Sequence, residues 1–90
     1  MATLTATLDF MRRVQRKETA PILWFSGAEI RLLKRHVAAV AKKAGVLPYP
    51  VDDAFCRVTD EKRNVVGYET DASDVVWLLD WLDDKPQGSK

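Results

Sequence analysis

His36 and Cys56 are the only residues of their types in this 90-residue chain. A site built on imidazole or thiolate would therefore have to draw every other group from carboxylates, hydroxyls and amines. A structural zinc site takes about four ligands, and a nucleophilic triad needs a base and a group that orients it. Neither set can be assembled here, and HExxH, GxSxG, GxxxxGK and CxxC are all absent from the sequence. His36 falls within a helical pattern beside Glu29 and Lys43, where it reads as a half-exposed side chain with no second ligand. Cys56 sits in an apolar run and reads as a small buried hydrophobe. A single cysteine cannot close an internal disulfide, which points to a reducing compartment, the cytoplasm by default. Asp52 with Asp53, and Asp80 with Asp83 and Asp84, lack the glycine turn and alternating oxygens of a calcium loop. The expectation is a protein that is not an enzyme, holds no metal and no cofactor, and works by surface contact.

Two constellations carry that expectation. In VVWLLDWLDD, residues 75–84, the positions Val75, Leu78, Leu79 and Leu82 make one core stripe, leaving Trp77 and Trp81 one turn apart on an adjoining face with Asp80 and Asp84 around them. Either both indoles are core, or they form a ridge that docks a protein partner, since tryptophan dominates interface hot spots. Asp83 and Asp84 fall at the end of this helix, where its dipole disfavours negative charge by about 0.3–1 kcal/mol, so fold stability does not account for them. The candidate partner-binding residues are Trp77, Trp81, Asp80, Asp83 and Asp84.

The second constellation is basic. Residues 1–45 hold nine Lys/Arg against three Asp/Glu (+6), and residues 46–90 hold five against ten (−5), so a near-neutral total hides a dipole along the chain. Arg31, Arg35 and Lys42 line the polar side of one predicted helix, and Arg12, Arg13 and Arg16 lie on another. Such a ridge can neutralise phosphates, with an affinity that falls as salt rises. The order of elements also permits a winged helix-turn-helix, with the second helix in the major groove and residues 60–64 as the wing tip. Base-reading side chains are scarce on that helix, and Glu29 stands at its start, where a phosphate would sit. An ordinary solvated charged face explains the same residues.

The elements that must position these groups follow from periodicity and caps. Leu4, Leu8, Met11 and Val14 predict a first helix over about 7–18, capped by Thr5 or Thr7 and closed by Pro21. Ile22–Phe25 reads as a short edge strand. Ser26 and Glu29 form a capping box, Ile30, Leu33, Val37, Val40 and Ala44 make one stripe, and Gly45 supplies the stop, with Val46 folding back on Ala41. Pro48 and Pro50 predict an extended connector over 47–53. AFCRVTD and VVGYETD predict an antiparallel hairpin with its loop near 61–64, and Gly67 marks a bulge or a close approach. A last helix runs from Asp71 or Ser73 to Asp84 and stops at Pro86.

The segment GYETDASDVVWLLDWLDD, about a fifth of the chain, resembles the acidic closing segment of small phage-encoded anti-CRISPR proteins, in which a tyrosine, spaced aspartates and a Trp-Leu-Asp-Asp ending recur. The resemblance rests on Tyr68, Asp71, Asp74, Trp81, Leu82, Asp83 and Asp84. It implies a non-enzymatic inhibitor that blocks a CRISPR effector by occupying a protein or nucleic-acid surface. The basic first half departs from the strongly acidic members and puts simple DNA mimicry in doubt.

The expected fold class is α+β in a single domain over 1–85 with a flexible tail at 86–90: two N-terminal helices, an antiparallel hairpin joined by a third short strand, and a C-terminal helix packed on the sheet. The expected function is a small protein-binding inhibitor or adaptor of phage or mobile-element origin. The alternative is a winged-helix nucleic-acid binder using Arg12, Arg13, Arg16, Arg31, Arg35 and Lys42. No apolar run approaches the ~20 residues of a membrane span, and a homodimer through the hairpin edge stays open.

Overall fold

The computed structural model describes residues 2–16 and 22–88, with side chains through Asp84. The elements are α1 (Leu4–Gln15), β1 (Ile22–Phe25), α2 (Gly27–Ala44), α3 (Val51–Ala54), β2 (Cys56–Thr59), β3 (Val65–Asp71) and α4 (Ala72–Gly88). The three strands form one antiparallel sheet in the order β1-β3-β2. α2 and α4 lie against β3, and α1 packs across both, which is the expected α+β class with the closing helix on the sheet.

The best-marked helix in the sequence forms as its caps dictate. Ser26 Oγ accepts the Glu29 N–H, and Glu29 Oε1 accepts the Ser26 N–H at 2.8 Å, so two orphan donors of α2 are satisfied reciprocally. At the other end Gly45 takes the left-handed conformation at φ 71°. The Val46 N–H then reaches the Ala41 carbonyl and the Gly45 N–H that of Lys42, closing a Schellman motif. Ile30, Leu33 and Val37 are buried along its inner face as expected, but Ala41 completes the buried row, and Val40 and Ala44, expected in the stripe, are half-buried.

Elsewhere local signals were ambiguous and packing decided. α1 starts earlier than expected because Thr3, not Thr5 or Thr7, is its cap: Thr3 Oγ1 accepts the Ala6 N–H, and Thr7 is buried with its hydroxyl on the Thr3 carbonyl. α1 ends at Gln15, and Pro21, the expected stop, lies outside the described residues. The expected extended connector is interrupted by the single turn α3, anchored where buried Thr70 Oγ1 donates to the Ala54 carbonyl at 2.8 Å. The closing helix does not stop at Pro86. Its backbone stays helical to Gly88, although Pro86 brings no N–H for the Leu82 carbonyl. Of the expected 86–90 tail, residues 89–90 lie outside the described part.

The core is centred on Phe25. Phe10 of α1 meets it edge-on at 5.4 Å between ring centroids, and Phe55 does so at 5.2 Å. Each such pair contributes about 0.5–1.5 kcal/mol beyond the area it buries. Val75, Leu78, Leu79 and Leu82 of α4 join this cluster, as their spacing predicts. With those four side chains committed inward, the rotation of α4 is fixed, and so is the set of residues it turns outward.

Candidate functional site

At about 100° per residue, burying Val75, Leu78, Leu79 and Leu82 turns Ser73, Trp77, Asp80 and Asp84 to the outside. All four are exposed, Trp77 at 61% of its full area. Beside the indole lies a shallow cavity of about 270 Å³, walled by Val14 and Gln15 at the end of α1 and by Ala72, Ser73, Val76 and Trp77 of α4. The described part of the protein therefore leaves a large aromatic ring uncovered next to a mainly apolar depression, with carboxylates one and two turns further along.

The five candidate partner-binding residues do not share one environment. Trp81, one turn on and about 40° further round α4, is half-buried, packed against the core and tilted against Tyr49 at 6.1 Å. Burial, and then the charge of Asp74, pushes the Tyr49 hydroxyl up. Burial, followed by the charge of Asp71, also raises the Asp74 carboxyl, while the Asp74 N–H donates to Asp71 Oδ1 as the helix cap. Trp81 is thus a wall between α4 and the connector, and the pair of indoles expected on one ridge is divided between the surface and the edge of the core.

Asp83 requires a correction as well. Its two carboxylate oxygens accept from both terminal nitrogens of Arg12, Nη1 to Oδ2 at 2.9 Å and Nη2 to Oδ1, tying α1 to α4. That fork holds the Asp83 carboxyl below its ordinary range and, with the charge of Asp80, raises the guanidinium of Arg12. Asp83 is explained by the fold after all. It clasps the first helix, and because α4 continues to Gly88 it does not stand in the last turn. The same bond withdraws Arg12 from the basic set, joining one residue of each predicted constellation to the other.

Of the remaining basic residues, Arg31, Arg35 and Lys42 lie exposed along α2, and Arg13 on α1 and Arg16 just past its end are exposed too. Lys34, between Arg31 and Arg35, is held by both oxygens of Asp52 at 2.9 and 3.0 Å. No group of three metal-ligating side chains occurs among the described residues, and none of their helices is long and apolar enough to cross a membrane.

Two features escaped the sequence reading. Cys56, expected to be buried, is an exposed free thiol, because its pairing with Glu69 turns it to the outer face of the sheet. On that same face Trp24 is half exposed, and its six-membered ring fills the space above Gly67: a β-carbon there would lie 2.0 Å from Cζ2. Gly67 thus marks a close approach, and the register shift of the hairpin lies next to it, between Val58 and Thr59. The glycine inside a strand pattern was the only local signal, and it does not name its partner.

No family model, no curated protein and no solved structure matches the chain.

Proposed function

We propose that this chain is a small, non-enzymatic protein-binding inhibitor or adaptor that docks its target through the outward stripe of α4, with Trp77 as anchor and Asp80 and Asp84 at its rim. The observation that carries this reading is the 61% exposure of Trp77 beside an apolar depression. A soluble chain gains little from leaving an indole in water, whereas a partner that covers it gains a hot-spot contact shielded by a polar rim. Arg12 and Asp83 serve this surface indirectly, by fixing α4 against α1, and Trp81 serves by filling the flank toward Tyr49. The resemblance of residues 67–84 to anti-CRISPR proteins makes a CRISPR effector the first target to try, and a phage or mobile-element origin agrees with it. A cytoplasmic setting suits the lone exposed thiol of Cys56.

A second reading, a winged-helix nucleic-acid binder, draws support from the strand order β1-β3-β2 with its helix–strand–helix–hairpin succession, and from exposed Arg31, Arg35 and Lys42. It ranks below the first for two electrostatic reasons. A reading helix meets the groove with its N-terminal residues, but the start of α2 carries Glu29, and the single turn α3 that follows carries Asp52 and Asp53. The experiment that separates the readings is capture from host extract by wild type, by Trp77→Ala with Asp80→Arg, and by Arg31→Glu with Arg35→Glu. Loss of the protein partner in the α4 variant alone supports docking. Retention of nucleic acid at low salt that disappears in the arginine variant supports the second reading.

A further inference from the structure

Among the described residues, helices cover one side of the sheet. Leu23 and Phe25 point into the core, so Ile22 and Trp24 face out, and the pairings of β3 and β2 place Asp71, Glu69, Gly67, Cys56 and Val58 on that same open face. Ile22 is 72% exposed and Trp24 50%. The indole covers Gly67 with one side, which leaves its other side to solvent. Glu69 is the direct cross-strand neighbour of Trp24, a relation that brings β-carbons to about 4.5–5.5 Å. Among the described residues the Glu69 carboxylate makes no hydrogen bond or ion pair, and the register puts no lysine or arginine of the strands on this face.

We infer that this open face, centred on the Trp24 indole and the Glu69 carboxylate, binds an arginine side chain carried by a segment of a protein partner. A planar guanidinium can lie over an aromatic ring and still present an edge to a carboxylate, which an ammonium does less well. Ile22 and Val58 supply apolar contact on either side of that row, while Asp71, next along, is already engaged at one oxygen as the cap of α4. The charge pattern selects among occupants. A phosphate backbone would meet the Glu69 carboxylate and, among the described strand residues of this face, no cation. A second copy stacked face to face by a two-fold axis would set Glu69 near its own counterpart. The face lies on the side of the sheet away from α4, so this inference goes beyond the docking of Trp77 and stands or falls separately.

The test is an NMR titration of the ¹⁵N-labelled full chain with a short Gly-Arg-Gly-Arg-Gly peptide and its lysine counterpart. The expected result is saturable movement of the Trp24 indole and the Gly67 and Glu69 amide signals, tighter with arginine. Glu69→Gln, an exposed change that leaves the fold intact, should weaken the binding about tenfold, the loss of one charge-assisted contact, and Trp24→Leu should act in the same direction. The inference is overturned if millimolar peptide leaves those signals still or if Glu69→Gln responds as wild type does. It is equally overturned if an oligothymidylate moves the same signals instead, or if they shift with protein concentration alone as a dimer forms in sedimentation. A null result here with partner capture still lost in the Trp77 variant would remove this site and leave the α4 reading in place.

Discussion

Gly67→Ala adds one methyl group, and the structure assigns it a definite cost. Its β-carbon would stand 2.0 Å from Trp24 Cζ2, 2.5 Å from Cε2 and 2.6 Å from Cη2, so the indole must leave the strand. Trp24 is half exposed, so about 100 Å² of a side chain of roughly 150–250 Å² is covered. At ~25 cal/mol per Å² its release costs up to about 2.5 kcal/mol. Alanine in a strand returns about 0.5–1 kcal/mol relative to glycine. The net expectation is a loss of about 1–2 kcal/mol, a fall in midpoint of several degrees for a chain of this size. In a Trp24→Ala background the clash is gone, and the same substitution should be neutral or stabilising, giving a coupling of about 2 kcal/mol. Urea unfolding followed by far-ultraviolet circular dichroism measures all four corners of the cycle. Equal effects of Gly67→Ala in both backgrounds would refute the argument that the glycine exists to seat the indole.

The two tryptophans of α4 should separate in the same assay. Trp77→Ala should cost under about 1 kcal/mol, as an exposed substitution does, and Trp81→Ala, half-buried against Tyr49, about 2–3 kcal/mol, below the 3–5 of a fully buried aromatic. Asp83 gives a pH signature. Its folded carboxyl is depressed by the Arg12 fork, so the pair's contribution is complete above the unfolded carboxyl value near ~3.9 and disappears as pH falls through the lower folded value. Both side chains are more than a third exposed, so that contribution is at most about 1 kcal/mol and shrinks with salt. Asp83→Asn should flatten the acid limb of the stability curve, and an acid limb unchanged in that variant would contradict the assignment.

How much of this was legible in the sequence depends on whether the signal was local. The two ends of α2 were legible because Ser26, Glu29 and Gly45 act within one turn of themselves, and the buried stripe of α4 because four apolar residues at helical spacing leave one inward face. The starting cap of α1 was not, since Thr3, Thr5 and Thr7 are chemically equivalent and packing selects Thr3. A single turn such as α3 has no period to detect, and its Thr70 tether comes from a strand sixteen residues away. The outer sheet face was hidden because Ile22–Phe25 is apolar at every position, so alternation cannot reveal which side is covered. The Arg12–Asp83 clasp spans 71 residues, and charge type alone assigned its halves to different partners.

Docking through α4 requires that Trp77 be surplus to the fold and needed by a partner. Capture by wild type and by Trp77→Ala, performed on samples shown to have equal unfolding midpoints, measures that directly. The expected outcome is a stable variant that no longer retains the partner. A variant that retains it undiminished, or one that fails to fold because the indole supports the core, would contradict the claim.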